Sequence, residues 1–473
     1  MDRRAFLKTT GLASAATLTR PLWAAAAASG KKPNILLIMT DEQFAGALSR
    51  HAGSKHLNTP NLDALAAAGM DFRRAYSPNP ICMPARTSLM TGCYPHQTRI
   101  QTNGGKGNKS LDAKPYAKIF KEAGYDTGYV GKWHIPKIFA TPKDFDFQAF
   151  NKHQGIDNKI VEPIVGFMKE KRNKPFLAVA SFSNPHNICE WARDGVNARL
   201  RDGKIGAPPT LDELPPIRPN HADPKNEADA VLLMKKLYQS TKKFPVGNYT
   251  EKQWREYIWA YYRMVELVDG HIGELLRGLK ESGKEEDTLV VFLSDHGDAQ
   301  GAHGWNQKTV FYDESSRVPF IVRFPGRVPA GKTSNRLVTT GIDLIPTLCD
   351  FAGVPVPRGL PGRSLKDTAT GKRSDDPRKY IVSQNKFTNK GLKEISGKRM
   401  AAGRMVRSER FKYCFYDMGE RRESLFDMEK DPGETVNLAR DSSFASILER
   451  HRQYYLEWRE KYKDLDFPAP PGA

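Results

Sequence analysis

The sequence lacks the cysteine pattern of a disulfide scaffold or a thiolate zinc site. Such scaffolds and sites usually place their cysteines at short, recurring spacings. This chain has an odd number of widely separated cysteines, and no two of them form a CxxC pair. The residues are Cys82, Cys93, Cys189, Cys349 and Cys414. We therefore expect neither a disulfide framework nor a cluster of zinc-binding thiolates.

Long apolar runs and internal repeats are also missing. No uninterrupted hydrophobic stretch is long enough to cross a bilayer, so we expect no membrane-spanning helix. Hydrophobic residues nevertheless make up 39% and aromatic residues 10% of the 473 positions. This composition predicts a globular protein with one large domain and a smaller one, and it argues against a disordered chain.

The beginning of the chain has the composition of an export signal. The stretch "MDRRAFLKTT" contains the pair Arg3-Arg4 followed by an apolar segment, and the alanine-rich "WAAAAASG" comes just before residue 31. These features are typical of a twin-arginine signal peptide with a cleavage region of small residues. We predict that residues 1–30 are removed and that the mature protein is periplasmic or secreted. A basic, frayed start of a cytosolic protein is the alternative.

Negative charge is scarce relative to positive charge. Lysine and arginine number 73 against 54 aspartates and glutamates, which gives a net charge of +19. Thirteen of the basic residues and four of the acidic ones lie between Lys372 and Lys412. A basic surface attracts polyanions at long range. Because an exported protein meets little nucleic acid, we expect an acidic glycan as the partner; a solvated basic face is the alternative.

Short apolar runs that end abruptly in polar clusters recur along the chain and predict buried strands. They lie at 33–43, 127–134, 175–187, 288–298 and 319–326. Helical periodicity is found at 60–69, 114–124, 160–171, 251–280 and 341–352. This alternation predicts an α/β fold, with a mostly parallel sheet flanked by helices. In such sheets ligands bind at the carboxyl ends of the strands, where the polar clusters fall.

The pattern changes towards the end of the chain. Residues 188–250 are rich in proline and charge, which predicts an irregular surface insertion. After residue 365 short strands with turns precede a closing helix at 443–462. We therefore predict a catalytic domain over 31–370 and a smaller antiparallel α+β subdomain over 371–473. The oligomeric state cannot be read from these patterns.

Two of the strand ends carry the side chains of a metal site. Asp41 and Glu42 end the first strand, and Asp295 and His296 end a later one. Three carboxylates and an imidazole cannot all be buried and charged together without a cation between them. A divalent metal is therefore expected, whereas either pair alone would suggest only exposed carboxylates at a strand end.

Cationic side chains lie near the same strand ends. They are Arg86, Lys132, His134, His186, His303 and Lys308. Lysine and arginine are rarely buried without counter-charges. Beside a metal, such a set is typical of a site for a small and highly charged oxyanion, with lysine as a point charge and arginine as a fork.

One further motif is unusual, and with the others it indicates a family. Cys82 stands two residues before Pro84 and four before Arg86, in a segment that we expect to be a turn because proline interrupts helices and strands. The sequence Cys82-x-Pro84-x-Arg86 followed by "GKWH", "NPHN", "SDHG" and "GAHGWNQK" resembles the type I sulfatases of the alkaline-phosphatase-like superfamily. The resemblance covers nearly the whole chain after residue 30.

The resemblance implies an alkaline-phosphatase-like fold and a formylglycine-dependent reaction. A formylglycine-generating or anaerobic maturation enzyme would oxidise Cys82 to formylglycine (3-oxoalanine). The hydrate of that aldehyde would attack sulfur, expel the alcohol and then release sulfate through its second hydroxyl. The divalent cation would be held by five side chains: Asp41, Glu42, Asp295, His296 and the modified Cys82.

The same resemblance assigns roles to the cationic residues. Arg86 and Lys132 would hold the diol and assist its ionisation, and Lys132 and Lys308 would balance the charge on the sulfuryl oxygens. His134 would take the proton in the elimination step. The candidates to protonate the leaving oxygen and to bind substrate are His186, His303, Lys308 and Lys132.

Three positions depart from the family's usual residues. Glu42 stands where aspartate is usual, His296 where asparagine is usual, and Ala85 where serine often lies between Pro84 and Arg86. Calcium is the expected cation, but an imidazole ligand also suits softer transition ions. Ala85 leaves open how well the maturation enzyme would recognise the segment.

These observations leave three functions to compare. The leading hypothesis is an exported sulfatase that acts on a sulfated carbohydrate. A phosphodiesterase or phosphonate monoester hydrolase of the same superfamily is the first alternative, because an Asp-His pair suits that chemistry too. A catalytically silent glycan-binding relative is the second, although each position that the mechanism needs holds a usable residue.

Overall fold

A computed structural model describes residues 32–149, 156–200, 202–241, 245–372, 378–387 and 400–472. The predicted export signal at 1–30 lies outside the described residues, so it stays a prediction. Residues 373–377 and 388–399, which belong to the basic stretch between Lys372 and Lys412, also lie outside the described residues.

Eight strands form the larger of two sheets. They are β1 (Asn34–Asp41), β2 (Met70–Tyr76), β3 (Asp126–Gly131), β4 (Phe147–Ala149), β5 (Phe176–Pro185), β6 (Thr288–Ser294), β7 (Phe320–Arg323) and β8 (Lys332–Thr339). Their spatial order is β4-β3-β5-β1-β6-β7-β2-β8. Neighbouring strands are parallel except at β7, which runs antiparallel to β6 and β2. The predicted mostly parallel sheet is confirmed.

Helices connect and cover the strands of the two sheets. They are α1 (Ser49–Ala52), α2 (Pro60–Ala67), α3 (Cys82–Thr91), α4 (Pro95–Thr98), α5 (Tyr116–Glu122), α6 (Val161–Lys169), α7 (Ile188–Asp194), α8 (Asp229–Gln239), α9 (Glu251–Glu281), α10 (Asp313–Ser316), α11 (Thr340–Ala352), α12 (Lys366–Ala369) and α13 (Ala445–Tyr462). The long helix α9 starts after Thr250, whose hydroxyl caps it by accepting from the amide of Gln253. Within the described ranges, no helix is both long and apolar enough to span a membrane.

The central strand β1 is buried on both faces of the sheet. Its side chains alternate, so that Ile35 and Leu37 join one apolar core and Leu36 and Ile38 join another. The first core includes residues of α3 and α11, and the second includes residues of α6 and α9. A parallel sheet covered in this way presents only its edges and strand ends to ligands.

Residues 188–250 differ from the expected irregular insertion. This segment includes the helices α7 and α8 as well as extended loops. Ile188, Trp191, Leu214 and Val246 are buried in one apolar core with the first half of α9. The proline and charge content of residues 188–250 predicted an irregular surface segment, but part of the segment is helical and contributes to the core.

The smaller sheet has four antiparallel strands, as predicted. They are β9 (Tyr380–Lys386), β10 (Ala402–Ser408), β11 (Phe411–Tyr416) and β12 (Glu423–Asp427), in the order β12-β11-β10-β9. Tyr455 and Trp458 of α13 pack in a core with Tyr413 and Phe415 of β11. A buried lysine of β11, Lys412, joins this sheet to α10 through a 2.6 Å ion pair with Asp313. The domain boundary near residue 370 stays a prediction.

We predict that Gly131, the last residue of β3, cannot be replaced without loss of stability. Its φ of 108° is unfavourable for any side chain, and an added Cβ would lie 2.0 Å from the backbone oxygen of Ser181. Gly131→Ala should lower the free energy of unfolding by more than about 2 kcal/mol in a denaturant titration. Gly166→Ala is the matched control, because this glycine lies within α6 and an added Cβ meets nothing within 4 Å. Equal free energies of unfolding for the two variants would contradict the conclusion that the backbone at position 131 requires glycine.

Candidate active site

The carboxyl ends of β1 and β6 bring two acidic side chains together. The strands are parallel neighbours with Thr40 opposite Ser294, so Asp41 and Asp295 follow at the same edge of the sheet. The amide of Glu42 donates to Asp295 Oδ1 at 3.2 Å, which links the two strand ends directly. The structure therefore places these residues together, as the sequence pattern predicted.

Cys82 begins helix α3, and the predicted turn at this position is wrong. Ile81 is extended, with φ −154° and ψ 143°, and the helix runs from Cys82 to Thr91. Pro84 is its third residue, where an amide has no intrahelical acceptor and proline is tolerated. Cys82 and Arg86 are four residues apart and therefore lie on one face of the helix.

Arg86 lies between the two strand-end carboxylates. Its Nε is 2.7 Å from Asp295 Oδ2, and its Nη2 is 2.9 Å from Asp41 Oδ2. Lys132 Nζ is 2.7 Å from the same oxygen of Asp41. Arg86 Nη1 also donates to the backbone oxygen of Lys132 and to Ser181 Oγ. All of these side chains are almost completely buried, so each charge depends on its partners.

These contacts shift the pKa values of Asp41 and Asp295 in opposite directions. Burial opposes the charged form of Asp41, but Lys132 and Arg86 outweigh it and hold the pKa of this carboxyl well below its usual range. Burial and the charge of Asp41 raise the pKa of Asp295 to about 6. Asp41 therefore keeps its negative charge to a lower pH than Asp295 does.

The thiol of Cys82 lies against the same group. Its Sγ is 3.2 Å from His296 Nε2 and 3.7 Å from Asp41 Oδ1. Burial and Asp41 oppose ionisation, but Lys308, Lys132 and His296 outweigh them, and the pKa of the thiol is well below its usual value. This position therefore stabilises a negative charge on whatever atom replaces Sγ.

Four side chains of this group could hold a metal ion. One ligand atom from each of Asp41, Cys82, Asp295 and His296 lies within 4.8 Å of the other three, and all four residues are buried. Buried carboxylates and a ring nitrogen in such a small volume fit a divalent cation.

Glu42, the fifth expected ligand, lies beside the four-residue group, and its role as a ligand stays a prediction. Its φ is 73°, and its carboxylate contacts Lys308 Nζ at 2.6 Å rather than joining the four-residue group. His186 Nε2 lies 3.8 Å from Glu42 Oε2, and the thiol of Cys189 lies 3.6 Å from the same oxygen. Burial first, and the nearby Asp298, raise the pKa of Glu42 to about 8 in spite of Lys308.

Lys308 and His186 lie where the group is open to solvent. Their side chains are 9% and 25% exposed, whereas those of Asp41, Arg86 and Lys132 are at most 1% exposed. His186 Nε2 is also 4.0 Å from Asp41 Oδ1. An incoming anion would therefore meet these two cationic or basic side chains before it reached the position of Cys82.

For two of the predicted site histidines, His134 and His303, no described contact joins the ring to the group around Cys82. His134 follows Lys132 by two residues, has φ 52°, and its buried Nδ1 has no hydrogen-bond partner in the described part of the chain. The ring of His303 is hydrogen-bonded to the backbone oxygen of Ala222 and lies 4.1 Å from the ring of Tyr312. These contacts place the ring of His303 against residues outside the group around Cys82, and its role in binding substrate stays a prediction.

Sequence reasoning missed two residues at the site. Ser181 of β5 accepts from Arg86 and donates to the backbone oxygen of Lys132, so it links the guanidinium of Arg86 to the backbone at Lys132. Cys189 is the second residue of α7, three residues after His186. The spacing of His186 and Cys189 around a helix start was the available signal, since residues three apart there lie close together.

Comparison with known families identifies the class. A model described as Sulfatase matches residues 33–354, and one described as N-sulphoglucosamine sulphohydrolase, C-terminal, matches residues 301–461. The chain belongs to the sulfatase family, within the alkaline-phosphatase-like fold. It is a sulfuric ester hydrolase.

Individual relatives are similar over almost their whole length. The chain is 31% identical to a Delta 4,5-hexuronate-2-O-sulfatase of Bacteroides thetaiotaomicron, and the match covers 95% of this chain and 94% of that protein. A solved structure of a 2-O GAG sulfatase is 28% identical, with a TM-score of 0.78 over 92% of this chain and 93% of that one. A phosphonate monoester hydrolase of Agrobacterium radiobacter shares the fold, with a TM-score of 0.76 and 24% identity over 91% and 96% of the two chains.

We predict that Arg86 is needed for stability as well as for the reaction. Arg86→Met would leave Asp41 and Asp295 buried without the guanidinium between them. In a chelator-containing denaturant titration, the free energy of unfolding should fall by about 3–5 kcal/mol. Arg421→Met removes the partly exposed pair with Asp229 and should cost less than about 1 kcal/mol. A loss for Arg86→Met no larger than for this control would contradict the assignment.

Proposed function

We propose that this sulfatase is exported, that it hydrolyses sulfate esters of a carbohydrate, and that its nucleophile is a formylglycine hydrate made from Cys82. The observation that carries the proposal is the position of Cys82 Sγ. It is buried beside Asp41 and His296, and cations lower the pKa of its thiol in spite of that burial. An aldehyde hydrate at this position supplies an ionisable hydroxyl that can attack sulfur and a second one that allows sulfate to leave.

We further propose that one divalent cation, expected to be calcium, is held by Asp41, Asp295, His296 and the modified Cys82. The donor set supports this, because four ligand atoms lie within 4.8 Å of one another in a buried position. When bound, such a cation polarises a sulfate oxygen and favours an ionised hydroxyl nearby. Glu42 would be the fifth ligand, and its second oxygen would keep the contact with Lys308.

The remaining residues would bind the sulfate group, orient the reacting groups and transfer protons. Arg86 and Lys132 fix the direction of the Asp41 carboxylate, and their charges stabilise an anion at the position of Cys82. Lys308, at the opening, would bind a sulfuryl oxygen as a point charge. His186 Nε2 would donate a proton to the leaving alcohol oxygen, and His134 would accept the proton that is released when sulfate leaves. Burial, Lys132 and Lys308 lower the pKa of His186 to about 3, so His186 would take up its proton only with the negative charge of the substrate beside it.

A carbohydrate substrate is supported by the relatives. One is named Delta 4,5-hexuronate-2-O-sulfatase, and another, 27% identical, is named N-acetylglucosamine-6-O-sulfatase. The strongly positive net charge of +19 fits an acidic glycan. Export through the twin-arginine-type segment would deliver the folded enzyme, already modified at Cys82, to such a substrate.

A phosphodiester or phosphonate ester is the competing substrate class. The observation in its favour is His296, whose Nε2 lies within the candidate metal group where the family's usual residue is asparagine. The shared fold with a phosphonate monoester hydrolase makes the comparison necessary.

One assay separates the two classes. Matured enzyme with added calcium should hydrolyse an aryl sulfate faster than the matching aryl phosphodiester. Both are monoanions, but the sulfate offers three non-bridging oxygens to the cation, Lys132 and Lys308, whereas the phosphodiester offers two and carries a second organic group. Cys82→Ala should lower sulfate turnover by roughly a thousandfold or more, since it removes the nucleophile. Cys93→Ala is the control and should keep activity. Cys93 is also a buried cysteine, and the described hydrogen bond of its thiol is to the backbone oxygen of Thr91. A clear preference for the phosphodiester, or turnover by Cys82→Ala, would overturn the proposal.

A further inference from the structure

A surface cavity of about 740 Å³ lies beside the end of helix α13. Residues from three parts of the chain line it, within 96–111, 359–363 and 461–466. Its volume is in the range of pockets that bind ligands. The side chains that form the group around Cys82 do not line it, so the cavity is distinct from the candidate active site.

Positive charge predominates in the lining of this cavity. Its charged residues are the cations Arg99, Arg363, Lys461 and Lys463 and the carboxylates Asp464 and Asp466. Arg404 binds both oxygens of Asp464, at 2.6 and 2.9 Å, so this carboxylate is already neutralised. Lys463 contacts Glu460, but the two side chains are 64% and 70% exposed, and such a pair is weak. The cavity would therefore attract an anion.

The walls of the cavity are held in place by contacts between distant parts of the chain. The amide of His96 donates to Gln384 Oε1 at 3.0 Å, and the ring Nε2 of His96 is 2.8 Å from the backbone oxygen of Tyr462. The ring of Tyr462 packs against those of Tyr94 and Trp458, with centroids 5.2 and 5.7 Å apart. A ligand that binds between such walls loses little free energy to the ordering of the protein.

A smaller cavity of about 200 Å³ adjoins the first. The two cavities share four lining residues, which are Pro361, Arg363, Lys461 and Tyr462. The smaller one is also lined by Arg378, which Asp343 neutralises through two bonds of 2.6 and 2.7 Å, and by the exposed Lys379. We call the two cavities together the α13 groove. Cations distributed along such a groove suit a ligand with several separated negative charges.

We propose that the α13 groove is a second binding site, which takes a short sulfated oligosaccharide and does not itself hydrolyse it. Sulfate and carboxylate groups spaced along a glycan match separate lysines and arginines, with arginine as a fork. Gln97, Gln101 and Asn108 line the larger cavity and bring amide groups that suit sugar hydroxyls. The choice of a glycan as the ligand rests on the proposed carbohydrate substrate, whereas the groove and its charge do not.

The groove is joined to the segment of Cys82 by the loop that follows α4. This loop contributes Gln101 and Asn108 to the larger cavity, and between them Asn103 Oδ1 accepts from the amide of Met83 at 2.9 Å. Met83 is the residue after Cys82. Binding in the groove should therefore add to the affinity for an oligosaccharide, whereas hydrolysis of a small aryl sulfate should not depend on it.

A lysine footprint tests where the oligosaccharide binds. Full-length protein with Cys82 left as a thiol, so that the probe is not hydrolysed, is acetylated briefly with and without a heparin hexasaccharide, and the modified peptides are quantified by mass spectrometry. Acetylation of Lys461 and Lys463 should slow by at least about threefold at a saturating concentration of the hexasaccharide. Lys280, which is exposed at the end of α9 outside both cavities, is the internal control and should react at the same rate.

Three results would overturn the site. Equal protection of Lys280 would show that the hexasaccharide coats basic surface without a specific site. Protection of Lys308 without protection of Lys461 and Lys463 would assign binding to the candidate active site alone. Equal protection by sodium sulfate at the same concentration of sulfate groups would assign the groove to a free anion rather than to a glycan.

A pair of double variants then measures the contribution of the groove to affinity. Arg99→Gln with Lys461→Gln should weaken calorimetric binding of the hexasaccharide by at least about fivefold. Arg277→Gln with Lys280→Gln is the matched control, because it removes the same two charges from exposed positions on α9. Far-UV circular dichroism and the melting temperature check that both double variants are folded. Equal affinities of the two would contradict the proposal.

Activity separates this proposal from the proposed function. After maturation, both double variants should hydrolyse an aryl sulfate at the wild-type rate, and a loss confined to Arg99→Gln with Lys461→Gln would contradict the separation of the groove from the reaction. Protection of Lys461 and Lys463 in a matured chain that hydrolyses no sulfate ester would overturn the proposed function and leave the groove intact. Sulfate ester turnover without that protection would overturn the groove alone.

Discussion

The guanidinium of Arg86, placed between the carboxylates of Asp41 and Asp295, is the contact on which the rest of the site depends. The sheet forces these two carboxylates together, because they follow neighbouring parallel strands at the same edge. Buried like charges repel strongly, and Arg86 relieves that repulsion with bonds of 2.7 and 2.9 Å. Because Arg86 and Cys82 share a helix face, this ion pair also fixes where the side chain of Cys82 lies.

Consecutive residues at the end of β1 have different partners. Asp41 lies in the buried group around Cys82, whereas Glu42, the next residue, lies against Lys308, His186 and Cys189. Glu42 has a positive φ of 73°, which sets its side chain apart from that of Asp41.

Much of the fold and of the site could be predicted from sequence, because both follow from where buried strands end. Apolar runs ending in Asp41-Glu42 and Asp295-His296 located two neighbouring strands. Other features depend on local geometry that a sequence does not display. Pro84 indicated a turn, although it occupies the first turn of α3, where proline is tolerated.

The surroundings of single side chains are equally hidden in the sequence. His303 stands in a family-like motif, but the motif does not show that its ring contacts Ala222 and Tyr312. The account as a whole is tested most directly by the mass of the tryptic peptide Ala75–Arg86, from protein made in a host with the maturation machinery. It predicts that Cys82 is found as the aldehyde or its hydrate. A peptide in which Cys82 is entirely a free thiol, from enzyme that still hydrolyses sulfate esters, would contradict it.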